Sequence, residues 1–245
     1  MPRFFVDKEN IQEEKILISG ADAHHIARSL RMAEGDEVTV SDGEGMEYLC
    51  TLSRIRDEEC ECKINEKRLG EGEGRIRTTL CMAYPKGDKL EVVVQKAVEL
   101  GASRIIPFES SRCIKRPKAE KIDKQLARLQ KIADEAAKQC GRARLPEVSA
   151  PMSFGEMLAE AKRCDVALLC YEDEHGLSIR DGLKNIASCE SIAVIVGSEG
   201  GFSPEEAAEA CRSGAIAVSL GKRILRCETA PSFALSVISY ESELL

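Results

Sequence analysis

Between residues 15 and 69 polar and apolar positions alternate or fall into short apolar runs, KILIS, DEVTVSDG, EYLCTLSRI and ECKINEKRL, divided by turn clusters such as SDGEG. A period of two over four to eight residues marks a strand with one buried face. The region therefore predicts the strands of a small β-barrel or sandwich, with one short helix around HHIARSLRM. Cys60 and Cys62, two apart in ECECKI, fall on one face of such a strand. The string GEGEGR at 70–75 is polar and rich in glycine, and a domain boundary is placed there.

Beyond it the period changes. TTLCMAY (78–84) reads as a strand, and DKLEVVVQKAVELG sets Leu90, Val93, Val94, Ala97 and Val98 at helical spacing, with Gly101 as the stop. RIIPFES is the next strand. Residues 119–139 predict a long helix with Ile122, Leu126, Leu129, Ala133, Ala136 and Ala137 on its apolar face. On the same helix Lys121, Lys124, Arg128 and Lys131 form one basic stripe, because steps of three, four and three stay on one side. Three apolar runs, DVALLCY (165–171), SIAVIVG (191–197) and AIAVSLG (215–221), suit a parallel sheet covered on both faces. A helix starts at Ser203, with Pro204 in its first position and Glu206 closing a capping box. The last helix, about 230–243, presents Ala230, Phe233, Ala234, Val237 and Ile238 on one face. These patterns add up to a small β domain followed by an α/β domain, and taken alone they favour an unknotted, doubly wound sheet, since threaded chains are rare.

Composition narrows the class. Of the 245 residues 43% are hydrophobic and 31% charged, which excludes disorder and fibrous repeats. No apolar run approaches the roughly 20 residues of a membrane span, and MPRFFVDKEN lacks the apolar core of a secretory signal. A cytoplasmic protein without a membrane part is expected. The eleven cysteines are scattered from Cys50 to Cys227 with no C-x-x-C pair, so they read as reduced thiols, most of them small core residues, and no metal site is expected. The net charge of −7 speaks against nucleic acid, yet residues 112–144 carry eleven basic side chains against four acidic ones, a local +7 that leaves −14 for the remainder.

Chemistry gathers at two strand ends. VGSEGGFSPEE (196–206) places three glycines between an apolar run and a helix start, where open α/β sheets bind ligands. It is not a phosphate loop, because the position that needs lysine has no basic residue and Glu199 would repel phosphate. The G-x-G-x-x-G spacing of a dinucleotide site is absent as well. A neutral or cationic ligand fits an acidic loop better, and a plain structural turn stays open as an alternative. LGKRILRCETA (220–230) also follows a strand end and crowds Gly221, Lys222, Arg223, Arg226, Glu228 and Thr229 into one turn. On a parallel sheet both loops open on one carboxyl edge, although Glu228 and Thr229 could equally be a helix cap beside solvated arginines.

GSEGGFSPEE, LGKRILRCETA, PKGDKLEVVVQKAVELGASRI and LQKIADEAAKQCGRARLPEV, in this order, resemble the RsmE family of 16S ribosomal RNA (uridine-N3) methyltransferases of the SPOUT superfamily. The resemblance runs over nearly the whole chain, MPRFF and SLRMAEGDEV included. It implies an α/β fold in which a SPOUT-type trefoil-knotted parallel-sheet methyltransferase domain, 73–245, follows an N-terminal PUA-like β-barrel domain, 1–72, that binds RNA. It implies transfer of a methyl group from S-adenosylmethionine to N3 of a uridine in 16S rRNA of the small ribosomal subunit, by a homodimer. Matched motif by motif, the cofactor-binding residues are Leu169, Cys170 and Tyr171, then Gly197, Ser198, Glu199 and Gly200, then Leu220, Gly221, Ile224, Leu225, Arg226 and Thr229. Ser198 stands where the family usually has proline, which loosens the turn, and Cys227 where it has threonine.

The uracil N3 proton must leave before or during transfer, and a cation near the uracil oxygens lowers that pKa. Arg223 and Arg226 are the catalytic candidates for this role, with Glu228 as a base or as the carboxylate that orients an arginine. Orientation is favoured, since a carboxylate between two arginines is a weak base. For RNA binding the candidates are Arg3, Arg28, Arg31, Lys86, Lys89, Lys121, Lys124, Arg128 and Arg142, with Phe202 and Tyr84 as guesses for base stacking. Two alternatives stay open: a methyltransferase acting on another RNA or on ribose 2′-oxygen, and a catalytically silent RNA-binding protein.

Overall fold

The computed structural model describes residues 1–114, 116 and 119–243, without the side chain of Ala119. Lys115, Pro117 and Lys118, part of the basic segment, lie outside the described residues. The chain divides into two units, Met1–Glu73 with Ala137–Leu145, and Gly74–Ala136 with Pro146–Leu245.

In the first unit β1 (Arg3–Phe5), β2 (Lys15–Ser19), β3 (Glu37–Ser41), β4 (Met46–Ile55) and β5 (Glu59–Leu69) form one sheet in the order β1-β3-β4-β5-β2. The sheet curls as a half-barrel. Its inward face buries Ile16, Ile18, Val38, Val40 and Leu52, with Cys60 and Cys62 together on that face, as their spacing predicts. The short helix begins as α1 (Gly20–His24), widens to a π-helical turn over His25–Leu30, and stops where Arg31 takes a left-handed conformation at φ 51°. The stretch 70–75 is tied down where composition suggests a loose linker. The Glu73 carboxylate accepts hydrogen bonds from the Arg142 guanidinium at 2.8 Å and from the amides of Ala143 and Arg144 at 3.1 and 2.9 Å. Ser41 adds a hydroxyl bond of 2.6 Å to the Ala143 carbonyl. Polar groups paired in this way explain why the return segment 137–145 belongs to this unit, which no local periodicity announces.

The second unit alternates strand and helix: β6 (Arg77–Ala83), α2 (Lys89–Glu99), β7 (Ala102–Glu109), α3 (Ile122–Cys140), β8 (Glu147–Val148), β9 (Met152–Ser153), α4 (Phe154–Ala161), β10 (Val166–Cys170), α5 (Ile179–Gly182), β11 (Ser191–Val196), α6 (Pro204–Arg212), β12 (Ile216–Val218) and α7 (Thr229–Glu243). Every pairing in its sheet is parallel, in the order β12-β10-β11-β6-β7-β8, with β9 beside β7. The apolar runs lie where expected: Leu80, Leu168, Leu169, Ile192, Val194 and Ile195 have no exposed surface. Burial on both faces is what their unbroken hydrophobicity requires.

Helix ends follow their local signals. Ser203 and Glu206 make the reciprocal capping box, at 3.2 and 3.0 Å, with Pro204 in the first turn. At the end of α3, Gly141 adopts φ 82° and the Arg142 amide reaches back to the Ala137 carbonyl at 3.0 Å, so the helix closes on the residue type best able to turn left-handed. One strand is shorter than its sequence suggests. β12 ends at Val218 because the Ser219 amide turns to the Leu177 carbonyl at 2.8 Å, after which Gly221 takes φ 109°.

Candidate active site at the carboxyl edge of the parallel sheet

Because β6, β7, β10, β11 and β12 run the same way, the segments after their carboxyl ends open on one edge of the sheet. After β11 a tight turn is closed by the Gly201 amide on the Ser198 carbonyl at 3.0 Å, with Gly201 at φ 62°, leaving Glu199 and Gly200 as its central residues. A Cβ on Gly200 would stand 2.9 Å from the Arg112 Cβ and 3.1 Å from its carbonyl oxygen, so the turn after β7 fits against this loop only without a side chain there. Arg112 also donates to the Gly200 carbonyl at 3.1 Å, and the Ser111 amide donates to Glu206 at 2.6 Å. Ser198, the departure from the family pattern, is buried with its hydroxyl 3.5 Å from the Arg112 carbonyl.

The charged centre is organised by Lys89, the first residue of α2. Its ammonium lies 2.9 Å from Glu199 and 3.3 Å from Glu228, while the Lys86 amide donates to the Glu199 carboxylate at 3.1 Å. Burial works against the Glu199 charge, but Lys89 and backbone amides outweigh it and hold the carboxyl below its ordinary range. Glu228 is also held low, first by a backbone hydrogen bond at the start of α7 and then, against some burial, by Cys227 and Lys89. Hydrogen bonding to Glu199 raises the Lys89 pKa. The two carboxylates therefore lose this contribution only as pH falls through their depressed values, and the ammonium only as pH rises through its elevated one. Across the neutral range the three groups are charged, which makes Glu228 a poor general base. Burial, with the Glu228 carboxylate beside it, pushes the Cys227 thiol up to about 12, so it stays protonated and unreactive.

The sequence candidates now separate. Arg223 and Arg226 are exposed on the loop after β12, and neither guanidinium has a hydrogen-bond or ion-pair partner among the described residues. Glu228 does not sit between them, since its cation is Lys89, which corrects the expected arginine–carboxylate arrangement. Gly197, Ser198, Glu199 and Gly200 make the first loop. Leu220, Gly221, Ile224, Leu225, Arg226 and Thr229 make the second, where Ile224 is 88% exposed and the Arg226 carbonyl accepts the Thr229 and Ala230 amides at 2.8 and 2.9 Å. Leu169 and Cys170 lie inside the paired part of β10, in register with β11 and β12, and the Tyr171 amide is spent on the Val218 carbonyl at 3.1 Å. The ladder consumes that donor, so Tyr171 offers no free amide to a ligand.

Several RNA-binding candidates are also corrected. Arg142 is 4% exposed and forked onto Glu73, and Arg3 is mostly buried against Glu47. Both hold the first unit together, because a buried guanidinium cannot leave its carboxylate without stranding it. Arg28 makes an exposed pair with Asp57, a contact of little strength that a phosphate can replace, and Arg31 is exposed. Lys86, Lys121 and Lys124 expose their ammonium groups, while Arg128 pairs with Glu91 at 2.8 Å. Phe202 and Tyr84 are 1% and 2% exposed and cannot stack on a base. Sequence reasoning missed Arg112 and the bridging place of Lys89; the only signal for either is its place in the segment that follows a parallel strand, three residues after β7 for Arg112 and at the start of α2 for Lys89.

A family model described as RNA methyltransferase domain matches residues 72–239, and one described as RNA methyltransferase PUA domain matches 18–65. The chain is 34% identical over 252 residues to the ribosomal RNA small subunit methyltransferase E of Bacillus subtilis, covering 100% of this chain and 98% of that protein. It is 33% identical to the Synechocystis protein of the same name, over 97% of this chain and 77% of that protein. Among solved structures, the Neisseria gonorrhoeae ribosomal RNA small subunit methyltransferase E bound to S-adenosyl methionine superposes with a TM-score of 0.87 at 28% identity, covering 98% of each chain.

Proposed function

Because this chain belongs to the ribosomal RNA small subunit methyltransferase E family, we propose that it transfers the methyl group of S-adenosylmethionine to N3 of a uridine in 16S ribosomal RNA. The observation that carries this reading is the pair of strand-end loops, GSEGG and KRILRCE, brought to one edge of the sheet and joined through Lys89. The residues suit the cofactor chemically. Leu177 and Ile224 expose apolar side chains on the loops after β10 and β12, and adenine needs such contact. Lys89, Glu199 and Glu228 sum to −1, which complements a molecule whose sulfonium and ammonium outweigh one carboxylate.

When bound, the cofactor supplies the electrophilic methyl group and the sulfur leaving group. The chain's own part is electrostatic. Arg223 and Arg226, without a partner among the described residues, offer cations to the uracil oxygens and stabilise the imide anion, so that the N3 proton is given up to solvent. Glu228 is engaged by Lys89 and holds the second loop. Lys86, Arg31, Lys121, Lys124 and Arg128 remain on exposed surfaces for phosphate contact, with Arg28 as an exchangeable pair. The first unit is proposed to serve as the RNA-binding PUA domain. We also infer a homodimer, supported by exposed Val92, Phe233 and Tyr240 on the packed helices α2 and α7. The described residues contain no helix long and apolar enough to cross a membrane, and the ribosomal substrate makes the cytoplasm the proposed location.

The test is methyl transfer from labelled S-adenosylmethionine to small ribosomal subunits lacking the modification, with mass mapping of the nucleoside. Recovery of 3-methyluridine is expected; a 2′-O-methylated nucleoside, or incorporation only into another RNA, overturns the assigned target, and no incorporation with RNA binding retained leaves a silent RNA-binding protein. Gly200→Ala is expected to raise the dissociation constant for S-adenosylmethionine about tenfold, since a Cβ pressed against Arg112 must move the loop at a cost of ~1–3 kcal/mol. Calorimetric titration checks it.

A further inference from the structure

The placement of Lys89 is not that of a phosphate contact. Its ammonium already serves Glu199 at 2.9 Å and Glu228 at 3.3 Å, and its side chain is only 35% exposed. Giving that ammonium to RNA would leave two carboxylates without their cation. Lys89 also stands on a rigid base, because Leu90, Val93, Val94, Ala97 and Val98 of α2 are all buried. The two carboxylates come from loops whose strands are not neighbours: β10 lies between β11 and β12, and β6, which leads into α2, flanks β11 on the other side. Each loop is thus anchored on its own strand, and Lys89 is the cation that spans both.

We propose that Lys89 is a positioning residue for the cofactor site, holding the loop after β11 and the loop after β12 as one body before the cofactor arrives. The proposal rests on the methyltransferase reading above and adds the device that orders its pocket. Either ion pair alone, part-exposed, would contribute little. Joined at one ammonium, with the Lys86 amide donating at 3.1 Å to the same Glu199 oxygen that Lys89 holds, they form a network that sets loop position. Order established before binding is not paid for again when the ligand docks.

The experiment compares wild type with Lys89→Met, which keeps the aliphatic stem, and Lys89→Arg, which restores a cation. Dissociation constants are measured for S-adenosylmethionine, for its neutral product S-adenosylhomocysteine and for a 16S rRNA fragment, alongside hydrogen–deuterium exchange on the cofactor-free protein. Lys89→Met is expected to weaken both small ligands about tenfold, to leave RNA affinity near wild type, and to speed exchange at the Lys86 amide and in both loops, while Lys89→Arg recovers most of each loss. Unchanged affinity for both ligands with lower RNA affinity would overturn the proposal in favour of a phosphate contact. A change confined to S-adenosylmethionine would overturn it in favour of charge acting at a distance. If wild type binds neither small ligand, the functional reading falls, and the exchange rates still decide whether Lys89 couples the loops.

Discussion

Arg226→Ala is expected to lower kcat for rRNA methylation by a factor of about 100, with KM for S-adenosylmethionine and the melting temperature close to wild type. Removing one preorganised charge donor from a developing anion typically costs ~10²–10³ in rate. The substitution is clean because the guanidinium is exposed and has no partner within the described protein, so stability should stay within about 0.5 kcal/mol. What Arg226 gives the fold is its backbone carbonyl, which accepts the Thr229 and Ala230 amides at the start of α7 and is retained in alanine. Single-turnover rates with saturating cofactor measure the effect directly. A rise in KM for S-adenosylmethionine at unchanged kcat would instead assign the side chain to the cofactor. Arg223→Ala, tested in parallel, shows whether the two cations share the load, since groups acting as a unit lose far less than the sum of their separate effects when both are removed.

What the sequence reveals here depends on distance along the chain. The parallel strands, the Ser203–Glu206 capping box and the Gly101 stop are legible because each is written within a few neighbouring residues. The glycine loop and the loop after β12 are legible as places, since strand ends in a parallel sheet open on one edge. Their internal wiring is not. Lys89 meets Glu199 and Glu228 across 110 and 139 positions, and nothing local distinguishes it from the exposed Lys86 three residues earlier. The same limit explains the arginines of the first unit. Arg3, Arg28 and Arg142 look like free cations in a chain read for charge, but residues 1–73 hold eighteen acidic side chains against ten basic ones, and each of the three finds a carboxylate once folded. Local excess of one sign predicts which residues will be paired better than it predicts which will be left for RNA.

Phe202→Ala is expected to destabilise the second unit by about 3–5 kcal/mol and to abolish cofactor binding at ordinary concentrations, although Phe202 touches no reacting atom. Its ring lies 6.4 Å from Phe108 in a near-parallel stack and 6.3 Å from Phe154, and all three belong to the loop after β11 and the elements around it. A Cβ on Gly197 would meet the Phe202 ring at 3.2 Å, so the ring is the floor on which the glycine loop rests. Truncation empties that floor, and close-packed surroundings relax only partly into such a space. A unit of this size should lose roughly 10 °C in melting temperature, and Phe202→Leu, which refills much of the volume, should recover most of it. A base-stacking role predicts the reverse: intact stability and cofactor affinity, with RNA binding alone impaired. Thermal melts and cofactor titrations of the two variants decide between them, and the 1% exposure of Phe202 requires the first outcome. The acidic loop then owes its shape to an aromatic residue beneath it and its charge pattern to a lysine at the start of α2.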